Sequence, residues 1–265
     1  MKKLICLLFS MFVLATQAVV KRHDISAESY ALKSPPDFLI DMPHEGSAVL
    51  ISPQWLLSAG HVIYYDGYEG KQISIQGVDN QIEKVIFHPD FKKQPEKAFT
   101  GDAKPLMNFL YGRIDLVLIK LSKPVKHLKP IARYYAHQEQ GKITTTYGKG
   151  ATGTGIIGEQ IETKMHRPLN FFNNQIETVT KHHLTMRFEE PEKGLPLEGI
   201  HGSGDSGGPT IIEEHGKQYL IGIQSFRDYQ GDLKNFKGGV YNSVSVLCRV
   251  SAFNSWIDEV IAGDG

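Results

Sequence analysis

The sequence predicts an all-β protein. Short runs of alternating apolar and polar residues recur along the chain, as at Ile73 to Ile75, Ile176 to Val179 and Leu184 to Phe188. Glycine- and proline-rich turns separate these runs, and no long helical pattern alternates with them. Helical periodicity belongs to the C-terminal end. There Phe253, Trp256, Ile257, Val260 and Ile261 recur at three and four residues and form one apolar face. Ser251 is the expected cap at its start and Gly263 marks its end.

The first residues are expected to lie outside the fold. Lys2-Lys3, an apolar run from Leu4 to Leu14 and Thr16-Gln17-Ala18 have the layout of a signal peptide over 1–18, cut after Ala18. The expected destination is secreted or periplasmic, without stable membrane association after cleavage, because no later run is long enough to span a bilayer. Residues 19–45, with Pro35-Pro36 and Pro43, read as an extended arm. Strands are then expected at Ala48 to Ile51, Trp55 to Leu57, Ile73 to Ile75, Ile82 to Phe87 and Leu116 to Leu121. The polar insertion over 90–112 reads as a surface loop with a short helix near Leu106 to Leu110. A second set of strands is expected from Lys142 onward, including Tyr219 to Ser225 and Gly239 to Val246.

Composition excludes several classes. Lys+Arg and Asp+Glu both number 29, so no electrostatic nucleic-acid surface is expected. The histidines are scattered without zinc spacing, and neither metal nor cofactor is expected. Gly148-Lys149-Gly150 lacks the Gly-Lys-Ser/Thr ending of a phosphate loop.

Three stretches carry chemistry. Gly202-Ser203-Gly204-Asp205-Ser206-Gly207-Gly208-Pro209 sets one hydroxyl in a glycine-rich turn able to expose Oγ and to aim backbone N–H groups at one point. Trp55-Leu56-Leu57-Ser58-Ala59-Gly60-His61 ends an apolar run on a histidine, and Arg113-Ile114-Asp115-Leu116-Val117 opens one on an aspartate. Taken separately, these are a surface turn, a structural histidine and a cap. Together, in the order His, Asp, Ser, they resemble the chymotrypsin/trypsin family of serine proteases. The resemblance spans residues 42 to 262.

It implies two six-stranded antiparallel β-barrels with the active site between them and a C-terminal helix. The expected division is 46–130 for the first barrel and 131–265 for the second barrel with the helix. It implies peptide or protein substrates and a triad of His61, Asp115 and Ser206. The Gly204 and Ser206 N–H groups would form an oxyanion hole, and Asp205 would support the turn. Ile200, His201, Ser225, Phe226, Arg227 and Gly239 map to the substrate pocket. Ile200 stands where trypsin-like relatives carry an acid, which argues against basic side chains; Arg227 and His201 would attract an acidic one, unless Arg227 faces solvent. Cys6 falls in the leader, leaving Cys248 alone. Gly46 and Val62 stand where relatives carry a disulfide, so the chain resembles disulfide-free bacterial members. The usual activation motif is missing. Asp205 would pair either with an ammonium at Val19 or with backbone or basic donors. A protease-like binding protein would be expected to lack a triad member, and all three are present; an esterase of the α/β-hydrolase type would need a different residue order.

Overall fold

The computed structural model describes residues 19–64, 67–95, 99–161 and 168–263. The signal-peptide expectation, with Cys6, lies outside them. Strand accounts for most of the ordered backbone, in two barrel-like sheets and one small sheet.

The first sheet has six antiparallel strands in the order Leu39–Asp41, Ser47–Ser52, Trp55–Ser58, Val117–Leu121, Val78–Phe87 and Gln72–Ile75. Its two ends are tied by Gln76, whose Nε2 donates to the Leu39 carbonyl at 3.1 Å. Val49, Leu50, Leu56, Leu57, Leu118 and Ile119 on its central strands are all fully buried.

The second sheet closes on itself. Pro209–Glu214, Ile143–Gly148, Asn170–Val179, His183–Arg187, Val244–Arg249 and Lys217–Asp228 pair in turn, and the last pairs back with the first. The long strand Lys217–Asp228 overhangs both neighbours, pairing with Pro209–Glu214 up to Ile223 and with Val244–Arg249 from Gly222 onward. A seventh strand, Ala132–Arg133, adds in parallel to Lys217–Asp228, so this sheet exceeds the six expected. The strand expected from Gly239 starts instead at Val244, because Gly239 takes φ 74° and breaks the extended run.

The small sheet inserts Val20–Lys21 between Thr152–Thr154, in parallel, and Gly199–Ile200, antiparallel. Gly158–Gln160 lies on its outer side. The start of the expected arm is therefore built into the fold, with Val19 and Val20 fully buried.

The C-terminal helix, Asn254–Gly263, follows a 3-10 turn over Val250–Phe253. Its apolar face packs on the first core cluster through Phe253 and Ile257, and Trp256 meets His88 at 4.9 Å between ring centroids. Ser251 does not cap it. Its Oγ donates instead to Glu139, a buried carboxylate that Arg249 also grips with two nitrogens.

Insertion residues 99–112 fold against the second barrel. The Ala103 N–H donates to Gly231 and the Leu233 N–H donates to Gly101. This contact sets the helix Lys104–Tyr111 beside the groove between the barrels, where Leu106, Met107 and Leu110 form a wall.

Candidate active site

His61 stands on the first turn of the short helix Gly60–Ile63, directly after the strand Trp55–Ser58. Asp115 precedes Val117–Leu121, the strand paired with it. The pairing fixes the two residues across from one another. Nδ1 of His61 is 2.6 Å from Oδ2 of Asp115, and the His61 backbone N–H donates to Oδ1 at 2.9 Å.

Ser225 completes the carboxylate's shell, its Oγ donating to Oδ2 at 2.5 Å. The register slips between Gln224 and Phe226, so Ser225 is the extra residue of a bulge. A bulge re-aims a side chain that regular alternation would direct elsewhere. Burial alone would raise the Asp115 carboxyl. The charge and hydrogen bond of His61, then Arg113 and Ser225, hold it well below the usual range.

Ser206 comes from the turn between Gly199–Ile200 and Pro209–Glu214. The Ser47 N–H donates to the Ser206 carbonyl at 2.8 Å, and the Gly207 N–H donates to Gln224 at 2.9 Å. The turn thus rests on both barrels. Gly207 has φ 76°, and a Cβ there would fall 2.1 Å from the Ser47 carbonyl. Only glycine fits both the conformation and the approach. Nearby, a Cβ on Gly46 would stand 2.8 Å from a Val62 methyl, so the two positions matched to a family disulfide do abut.

His61, Gly204, Ser206, His201, Ser225, Phe226 and Arg227 all line one cleft of about 590 Å³. Its lining combines polar groups, Ser206 and His61 among them, with the apolar Leu106, Met107 and Leu110, the usual form of a substrate site. A hydroxyl and an imidazole lining one cleft, with the imidazole bonded to a buried carboxylate, are the components of nucleophilic acyl transfer. Asp205 lies behind the turn, fully buried, accepting from Gly150 N–H at 2.6 Å and Gly202 N–H at 2.8 Å. Among the described residues no cluster of His, Cys, Asp or Glu could hold a metal ion.

The chain matches the trypsin family over residues 38–257. It belongs to that family. A trypsin of Phaedon cochleariae is 26% identical to it, over 91% of this chain and 87% of the relative. The protein is a chymotrypsin-like serine protease, a hydrolase acting on peptide or protein substrates. No helix among the described residues is long and apolar enough to cross a membrane.

Two pocket residues matched through the family are not on the cleft. Ile200 is fully buried, paired with Val20 and packed with Phe188 and Tyr241. Gly239 lies against the Val20 side chain. Arg227 lines the cleft with its charge already engaged: its Nη2 binds both carboxylate oxygens of Glu159, at 2.9 and 3.0 Å.

Sequence reasoning missed Glu159, Ser203 and Arg113. Glu159 lies 68 positions from its partner, and no local pattern marks it. Arg113 had a signal: in extended chain, residues two apart share a side, and Arg113 stands two before Asp115.

Proposed function

We propose that this protease is a secreted endopeptidase in which Ser206 attacks the substrate carbonyl and forms an acyl-enzyme. His61 takes the Ser206 proton and then delivers it to the leaving amine. Asp115 holds the imidazole in the tautomer with Nδ1 protonated and stabilises its cation. The Gly204 and Ser206 N–H groups stabilise the oxyanion; one such donor is worth about 3–4 kcal/mol in the transition state. The backbone of 225–227 is free along one cleft wall to pair with an extended peptide. The single observation that carries the reading is the 2.6 Å contact between His61 Nδ1 and Asp115 Oδ2, opening on the cleft that Ser206 lines.

A fluorophosphonate probe followed by mass spectrometry tests it. A covalent adduct on Ser206 is expected, lost in Ser206→Ala. Ser206→Ala, His61→Ala and Asp115→Ala should each lower turnover by orders of magnitude, and the losses should not add, because the three act as one unit. Labelling of another residue, or unchanged turnover in Ser206→Ala, would refute the assignment.

Export follows from the leader-like residues 1–18, with maturation at Ala18–Val19. The freed Val19 ammonium is the cation proposed to pair with Asp205. N-terminal sequencing of the active protein tests this, and a start well downstream of Val19 would rule it out.

A further inference from the structure

The cleft stops short of Ile200 and Gly239 because Arg227 crosses it. Arg227 starts on the wall formed by 225–227 and its guanidinium reaches the opposite side. There Nη2 meets Glu159 and lies 3.3 Å from Ser203 Oγ. Glu159 is in turn fixed to that side. Its carboxylate accepts the Ser203 N–H at 2.8 Å and the Ser203 hydroxyl at 3.3 Å, and its own N–H donates to the Gly238 carbonyl at 2.8 Å. Both charged side chains are only 9% exposed. A Cβ on Gly238 would lie 2.2 Å from Arg227 Nη1, so the guanidinium rests on bare backbone. The Phe236 ring lies 5.7 Å from its carbon.

The charges in this throat cancel. The Arg227 cation is paired with the Glu159 anion. His201, which also lines the cleft, is held neutral: burial first, then the charges of Arg227 and His61, push its pKa well down. Its tautomer follows from its partners. Ser245 Oγ donates to Gln224 Oε1 at 3.1 Å, so the 2.6 Å contact with His201 uses the Nδ1 proton. Nε2 is then a lone-pair acceptor. An acidic substrate side chain would meet that lone pair and the Glu159 carboxylate. A basic one would find Glu159 already taken and Arg227 in the way.

We propose that Glu159 and Arg227 form a latch across the primary pocket, which restricts the residue on the acyl side of the cleaved bond to a small, uncharged side chain. The latch sets specificity by filling the throat, and Glu159 keeps the Arg227 charge from recruiting acidic substrates. Arg227 Nη1 is buried without an acceptor. Once Glu159 is neutralised, Arg227 presents its charge and this spare donor to a carboxylate. The proposal rests on the triad reading, so active sites are counted by fluorophosphonate labelling of Ser206 before any rate is compared.

The test is kcat/KM per labelled site on matched peptides that differ only at the acyl-side residue, Ala, Phe, Lys or Glu. The wild-type protein should favour Ala by about ten-fold or more, the scale on which a pocket discriminates by size. Arg227→Gly should raise the rate on Phe by about ten-fold relative to Ala. Glu159→Gln should raise the rate on Glu by a similar factor, and Arg227→Gly/Glu159→Gln should lose that gain. Wild-type cleavage after Phe, Lys or Glu as fast as after Ala would overturn the latch even if no variant folds. So would labelled Arg227→Gly with an unchanged profile. Absence of labelling in the wild-type protein would instead sink the triad reading.

Discussion

Nη2 of Arg113 lies 3.6 Å from Oδ2 of Asp115, with both side chains buried. The guanidinium is packed between the rings of Phe91 and Phe109, at 5.7 and 5.2 Å, and its Nη1 reaches the Lys92 carbonyl at 3.4 Å. The other groups facing Asp115 are His61, Ser225, Cys248 and His183. Burial pushes the Cys248 thiol up and takes His183 down to about 4, so both are neutral near pH 7. Arg113 is thus the permanent cation beside the carboxylate on which a protonated His61 would rely.

That placement has a measurable sign. A carboxyl held below its unfolded pKa, as His61 and then Arg113 hold Asp115, contributes stability above that pKa, near 3.8, which is lost as pH falls. Arg113→Met should therefore cost more stability near pH 7 than in acid below that value. A role in packing alone would lower stability equally at every pH. Denaturant titrations at several pH values separate the two.

Ser225→Ala removes the hydroxyl that donates to Oδ2 of Asp115. A hydrogen bond to a buried charge contributes about 1.5–3 kcal/mol. A fall in kcat of about ten-fold or more is expected with little change in KM, because the loss is felt at the charged His61–Asp115 pair. Equal rates for Ser225→Ala and wild type would remove the residue from the carboxylate's support.

Gly207→Ala tests how the nucleophile turn is seated. The added methyl meets the Ser47 carbonyl and Ser58 Oγ, at 2.1 and 2.4 Å before relaxation, on a backbone at φ 76°. The turn must lift from the first barrel. Loss of stability by more than about 1 kcal/mol is expected, with a disproportionate loss of probe labelling at Ser206. Thermal unfolding and labelling rates measure both.

The three motifs were legible because each is local: a glycine turn around Ser206, an apolar strand ending at His61, another beginning after Asp115. Alternation made most of the strands visible for the same reason. Pairings between distant charges were not legible. Ser251 sits at the right offset for a helix cap, yet Glu139, from 112 positions away, takes its hydroxyl. Nothing local to Arg227 separates an acid-binding from a solvent-facing role, because its partner Glu159 lies 68 positions away. Gly239 and Ile200 match the family pocket by their spacing from the motifs, but neither lines the cleft, whereas Arg227, paired with Glu159, does. In each case the deciding contact is made by a long or charged side chain, whose partner depends on the finished fold.

Asp205 and Val19 supply the last prediction. The segments flanking the Val20 strand run directly into Gly150 and Gly202, the two backbone donors to Asp205. Burial pushes the Asp205 carboxyl up to about 6, against those two N–H groups, the Arg227 charge and Lys149, which pull it down. A carboxyl raised in the fold contributes stability that is fully present below its unfolded pKa, near 3.8, and is lost as pH rises through about 6. An ammonium on Val19 would reverse this, because a buried carboxylate with a cationic partner is favoured in its charged form. Protein beginning at Val19 should therefore hold or gain stability from pH 4 to pH 6. Protein with one extra alanine before Val19 should lose on the order of 2–3 kcal/mol over that range and show lower turnover, since the turn carrying Gly204 and Ser206 leans on Asp205. Val19 has φ 56°, a conformation unusual for a β-branched residue, and a free terminus relieves that constraint. Denaturant titrations of the two proteins at several pH values, with turnover measured on each, decide the matter. Identical slopes and identical turnover would assign Asp205 to its backbone donors alone.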